Sequence, residues 1–147
     1  MRIVVDTNIV FSALLSTNSY ISQIILQPKT RLNFYSTERL IYEISSHRDK
    51  IISLTGYSNY DLDRMISLIT SHIRFVNISL IPKEIYYDCE LLTKDVDVDD
   101  CEFVALTEHI RGKLWSGDKR LIRGLQKKKW TKFVNTDDLY RMIMKHP

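Results

Sequence analysis

The sequence contains only four glycines, two cysteines and no long apolar run, and each shortage removes a class of function. So few glycines leave no glycine-rich loop to cradle a phosphate. The cysteines, Cys89 and Cys101, form no CxxC pair and have no histidine at ligand spacing. They are expected to be free thiols in a reducing cytosol, not a disulfide or a zinc site. No apolar stretch approaches the length of a membrane span. The N-terminus has one arginine before a short apolar run and lacks the apolar core and cleavage site of a signal peptide. The expected compartment is therefore the cytoplasm. The histidines (His47, His72, His109 and His146) form no HExxH set and read as surface or packing residues. With no Ser-His-Asp signature either, nucleophilic side-chain catalysis is not expected.

What is present is a soluble globular composition, 44% hydrophobic and 27% charged, at a length of 147 residues that suits one domain. The net charge is only +3, but it is unevenly spread. From Glu84 to Glu102 there are eight acids and a single base, Lys94. From Lys119 to Lys132 there are seven bases and no acid. An acidic cluster beside a basic one suits a protein that holds cations in one place and a polyanion in another. The alternative for each run is a solvated helix face. Trp115, Trp130 and the tyrosines are expected in the core or at interfaces, although Trp130, beside Lys127, Lys128 and Lys129, could also stack on a base.

Periodicity gives alternating elements. Arg2 to Val5 is continuous and β-branched, a buried strand. Helices are expected over Ile9 to Leu15 and from Asn18, then a strand over Leu32 to Tyr35. Ser36 can cap a helix carrying Leu40, Ile41 and Ile44. A turn through Ile51 and Ile52 ends near Gly56, and Asn59 starts the next helix. Arg74 to Ile78 is expected to be a third strand, with Pro82 preceding a helix through Ile85, Cys89 and Leu92. A strong helix follows Asp100. Lys113 to Trp115 is a strand, Asp118 opens a helix, Lys132 to Val134 is the last strand, and Thr136 caps a final helix. Strands alternating with helices imply a three-layer α/β/α domain with a mostly parallel sheet, and no repeat or linker divides residues 1–147.

The first strand ends on a carboxylate, Asp6, followed by Thr7 and Asn8. Ligands gather beyond the carboxyl ends of strands in open α/β sheets. Asp6 follows the first strand, Asp118 follows the Lys113 to Trp115 strand, and Asp100 opens its helix from a loop running to the same edge. Glu43 lies on the helix after the second strand, with Leu40 and Ile44 turning that side inward. Glu38 is its rival, but an acid in a first helical turn also suits the helix dipole. Any one of these acids alone has the bland reading of a turn or cap residue, which is the reading for Asp97 and Asp99. Together they repel unless a cation joins them. Mg²⁺ or Mn²⁺ takes a few carboxylates and leaves room for phosphate oxygens, the arrangement for phosphodiester hydrolysis.

The stretches "VVDTNIVFSALL", "DVDVDDCEFVALTEH" and "LWSGDKRLIRGL" resemble, in order, the motifs of the PIN-domain ribonucleases, many of them VapC-type toxins. The resemblance spans essentially the whole chain. It implies a parallel α/β fold in which Asp6, Glu43, Asp100 and Asp118 bind Mg²⁺ or Mn²⁺, supported by Asn8 and Ser116. Thr107 stands where many relatives carry alanine, which bears on packing. The resemblance further implies an RNA substrate, a homodimer and an inhibitory antitoxin. In that setting Lys119, Arg120, Arg123, Lys127, Lys128 and Lys129 are candidate RNA contacts. A housekeeping RNA-processing nuclease and an inactive RNA-binding or scaffold module are the alternatives. A haloacid-dehalogenase-type phosphatase would need an aspartate where Asn8 stands. A response-regulator receiver would need a phospho-acceptor aspartate after a middle strand, and the loop after Leu32 to Tyr35 offers none.

Overall fold

The computed structural model describes residues 1–27 and 32–145. In chain order the strands are β1 (Arg2–Val5), β2 (Asn33–Ser36), β3 (Ile73–Phe75), β4 (Lys113–Trp115) and β5 (Phe133–Val134). The helices are α1 (Thr7–Leu15), α2 (Tyr20–Leu26), α3 (Glu38–Ser46), α4 (Arg48–Thr55), α5 (Asn59–Thr70), α6 (Lys83–Thr93), α7 (Cys101–Ile110), α8 (Lys119–Lys127) and α9 (Thr136–Lys145).

Among the described residues the strands form one sheet in the order β3-β2-β1-β4-β5, and every pairing is parallel. The run Ile3-Val4-Val5 is fully buried because β1 lies in the middle of the sheet, with helices over both faces. Val4 pairs with Tyr35 on one side and with Leu114 on the other. With crossovers of the usual right hand, this strand order places α1 to α5 over one face and α6 to α8 over the other. Helix α7 is the most buried of the latter, with Phe103, Val104, Ala105 and Leu106 in the core. The Thr107 hydroxyl, also buried, donates within the helix to the Phe103 carbonyl at 2.7 Å. Helix α7 ends with Arg111 in the left-handed region (φ 56°). Gly112 follows, where a Cβ would lie 2.6 Å from the Arg2 carbonyl oxygen, so only glycine lets the chain turn past β1 there.

Several boundaries shift because a residue next to the expected one makes the capping bond. Asp6 accepts from Ile9 N, so α1 starts at Thr7 and not at Ile9. Ser19, not Asn18, caps α2, whereas α5 starts at Asn59 as expected, capped by Ser58. Ser36 does not cap α3: it ends β2 and donates to the Val5 carbonyl at 2.9 Å, leaving Thr37 at the cap position without a side-chain bond. The expected strand from Arg74 to Ile78 is shorter, because Asn77 accepts from Ser79 N at 2.9 Å and starts a 3-10 turn. Asn135, not Thr136, caps α9 through Asp138 N at 2.8 Å. Cys89 and Cys101 are free and buried. No single described helix is long and apolar enough to cross a membrane; the apolar α1 and α2 meet at 107°.

Candidate metal centre

The strand order reverses at β1, whose neighbours are β2 and β4, so a crevice opens beyond the carboxyl ends of β1 and β4. The chain leaves β1 through Asp6 and leaves β4 through Ser116, Gly117 and Asp118. Asp6 is 2% exposed, and its Oδ1 accepts from Ile9 N at 3.0 Å. The Ser116 hydroxyl lies close enough to the Asp6 carboxylate to favour its charged form, and Ser116 Oγ accepts from Asp118 N at 3.1 Å. Buried Ser116 thus ties the two acids to each other. Asp118 caps α8, taking Arg120 N at 3.0 Å and Leu121 N at 3.1 Å on one oxygen, Oδ1.

The remaining wall of the site is the loop before α7. Asp97 accepts from Asp99 N at 3.0 Å and so starts the 3-10 turn Val98–Asp100. Asp100 stands at the cap position of α7 yet makes no side-chain capping bond, so capping does not account for it. One carboxylate oxygen from each of Asp97, Asp100 and Asp118 lies within 4.8 Å of the others. Among the described residues no histidine or cysteine joins this group; His146 lies outside the described residues.

Electrostatics extend the group beyond this triad. Burial pushes the Asp100 carboxyl up to about 8, and the carboxylates of Asp97, Asp6, Asp118 and Glu43 push the same way. Burial pushes Asp6 up to about 6 against the hydrogen bonds from Ser116 and Ile9, with Asp118 and Glu43 adding to the rise. Glu43, half-buried on α3, is also raised by burial, although Arg39 pulls it down. Arg39 Nε donates to Glu43 Oε1 at 3.0 Å, and the same guanidinium reaches Asp99 at 2.9 Å and Glu102 at 3.6 Å. The Thr7 hydroxyl is close enough to Glu43 to favour its charged form, yet it is buried without a hydrogen bond of standard geometry. Carboxylates gathered in this way repel one another, and a cation relieves them. An all-oxygen donor set of this kind fits a hard divalent ion.

The expected acids therefore converge, with two adjustments. Asp100 and Asp118 meet directly, whereas Asp6 and Glu43 flank them and couple through charge. Asp97, expected only as a turn residue, belongs to the tight triad as well as capping its turn. Its signal is present in the dense "DVDVDD" run, but only the 3-10 turn decides which of those acids point together. Sequence reasoning also misses Arg39, although its i,i+4 spacing to Glu43 is a helical ion-pair spacing. Glu38 is exposed in the first turn of α3, and Asn8 is exposed in the first turn of α1. On the basic side, Lys119, Arg120, Arg123, Lys127 and Lys129 are exposed. Lys128 is engaged by Asp95 and by the Leu92 carbonyl at 2.8 Å. Trp130 is no base-stacking platform: it is buried, and its indole donates to Glu108 at 2.7 Å.

A parallel α/β sheet with an acid cluster beyond the ends of its central strands is an arrangement that can hold a hard divalent ion. Residues 4–137 match the PIN domain, and the chain belongs to the PIN-domain family, whose members are generally metal-dependent nucleases. No curated protein matches the chain.

Proposed function

We propose that the protein is an endoribonuclease dependent on Mg²⁺ or Mn²⁺ that works in the cytoplasm as the toxin of a toxin–antitoxin pair. The observation that carries the nuclease reading is the convergence of Asp97, Asp100 and Asp118 within 4.8 Å, beside buried Asp6. In this reading the triad holds the ion, and Asp6 and Glu43 supply the remaining negative charge around it. Ser116 keeps Asp6 and Asp118 in register, and Arg39 holds Glu43 at the rim. A hard divalent ion supplies Lewis-acid polarisation of a phosphate and a lowered pKa for an attacking water. Asp118 caps α8, so Lys119 and Arg120 follow the acids directly and can take the flanking phosphates of a strand. The exposed Arg123 and Lys127 continue that basic surface along the helix, and exposed Lys129 follows just past its end.

The preference for RNA over DNA, the homodimer and the antitoxin rest on the resemblance of the three motifs to VapC-type toxins. A small DNA-binding protein encoded beside this gene, and able to suppress its activity, would support the toxin reading over a housekeeping nuclease. The test of the chemistry is cleavage of single-stranded RNA and DNA by the pure protein, with Mg²⁺, with Mn²⁺ and with EDTA. Metal-dependent internal cleavage of RNA is the expected result. Cleavage unaffected by EDTA would refute the mechanism, and RNA binding without cleavage under any metal would return the protein to the scaffold reading.

A further inference from the structure

The "DVDVDD" segment carries four aspartates, and the structure treats them in two ways. Asp97 and Asp100 turn toward Asp118. Asp95 and Asp99 instead meet cations delivered by the elements on either side. Lys128, at the end of α8, pairs with Asp95 and donates to the Leu92 carbonyl at 2.8 Å. Arg39, on α3, pairs with Asp99 at 2.9 Å. Between the two pairs, Val96 lies against Gly124 in the middle of α8. A Cβ at Gly124 would come within 2.7 and 2.8 Å of the two Val96 methyl carbons. Glycine inside a helix is unfavourable relative to alanine, so this one has a steric reason to be there.

We propose that Arg39, Gly124 and Lys128 are positioning residues that sort the aspartates of the 95–100 loop, drawing Asp95 and Asp99 outward so that Asp97 and Asp100 face Asp118. Helix α8 then sets both sides of the triad. Its first turn holds Asp118, and its later turns hold the loop that carries the other two acids. Lys128 thereby serves the acidic site and not the RNA surface. The inference rests on the metal-centre reading above, and its test separates the two.

The test is Mn²⁺ binding to the full chain without RNA, monitored by the electron paramagnetic resonance of free Mn²⁺ and by calorimetry. A wild-type protein that binds no Mn²⁺ would overturn the metal centre itself. Given wild-type binding, Gly124→Ala is expected to weaken it about tenfold or more, the scale of an overpacked contact. Adding Val96→Ala in the same chain removes the opposing methyl groups and is expected to restore binding to within about threefold. Lys128→Met and Arg39→Met are each expected to weaken Mn²⁺ binding about two- to fivefold, the scale of a partly exposed ion pair. The sign is decisive. Removing a cation near the site should tighten Mn²⁺ binding through charge alone, so only displaced acids explain a weaker affinity. Equal or tighter binding by both methionine variants would overturn the proposal, even if Gly124→Ala fails to fold. A Lys128→Met protein with unchanged Mn²⁺ affinity but a flatter salt dependence of RNA binding would make Lys128 an RNA contact and would also overturn it.

Discussion

Between Asp95 and Asp100 the chain winds through a 3-10 turn that brings two of its carboxylates together, while α8 lines its bases along one exposed face of a regular helix. Both segments are dense runs of one charge. In the acidic run, burial and the gathered carboxylates together push Asp100 up to about 8. In the basic run Lys119, Arg120, Arg123 and Lys127 face solvent from one side of α8, Lys129 is exposed beyond its end, and Lys128 is drawn back to Asp95. Charge of one sign is gathered to a point where the backbone tightens and drawn out along a face where it is helical. The first arrangement suits one compact cation and the second an extended polyanion.

The strongest way to break this contrast is to remove one charge from the acidic side while keeping its shape. Asp100→Asn should lower RNA cleavage by orders of magnitude, because its carboxylate is one of the three nearest to one another. Asp100 makes no capping bond and is raised by burial and by its neighbours, so the metal-free variant should be as stable as wild type or more so. It should also lose the stabilisation Mn²⁺ gives, about 2.7 kcal/mol at a hundredfold excess over Kd for one site. Melts with and without Mn²⁺ beside a cleavage assay read all three. A metal-free variant melting well below wild type would make Asp100 a structural residue and remove it from the site.

The next effect is a pH dependence that belongs to the acidic side alone. Asp6 and Asp100 have folded-state pKa values of about 6 and about 8, both above the ordinary 3.8. Between the ordinary value and the raised ones the native state holds protons that the unfolded chain has released, so stability falls as pH rises. The metal-free protein should therefore lose melting temperature from about pH 5 to about pH 8.5, and saturating Mn²⁺ should flatten that fall. A metal-free melting temperature that rises across the same range would show that the carboxylates are not held protonated as described.

The smallest effect is on the basic side, where each residue acts singly. Replacing Lys127 and Lys129 should reduce the slope of log affinity against log salt for single-stranded RNA by about 0.7 for each phosphate no longer neutralised. Replacing Lys128 should leave the slope unchanged, since its ammonium is held by Asp95. Filter binding across a salt series measures both. An unchanged slope in the Lys127 and Lys129 variant would make the helix face merely solvated.

Much of this arrangement is legible in the chain, because strands and their exits have strong signals. A β-branched run ending on Asp6 marks a central strand that stops at an acid, and the short Lys113–Trp115 strand followed by Asp118 repeats the pattern. The misplaced element ends share a cause. Asn18 and Ser36 are capping residue types, but so are their neighbours, and only tertiary placement decides which makes the bond. Ser36 is taken by the Val5 carbonyl across the sheet, which no local pattern reveals. Asp97 shows the same limit from the other side. Its capping role is local and legible, while its place beside Asp118 depends on Val96 meeting Gly124, a contact between distant parts of the chain. Trp130 looks available beside three lysines in the sequence, yet it is buried with its indole donating to Glu108 on α7.

The central position of β1 has a consequence for synthesis. One of the two sheet partners opposite Val4 is Leu114, far along the sequence, so that edge of β1 stays unpaired until β4 has been made. Such long-range parallel pairing forms slowly and late. Asp6 is made well before Asp118, which reaches it only once β4 has docked. An acidic centre built this way stays incomplete until β4 and the start of α8 have been made and docked.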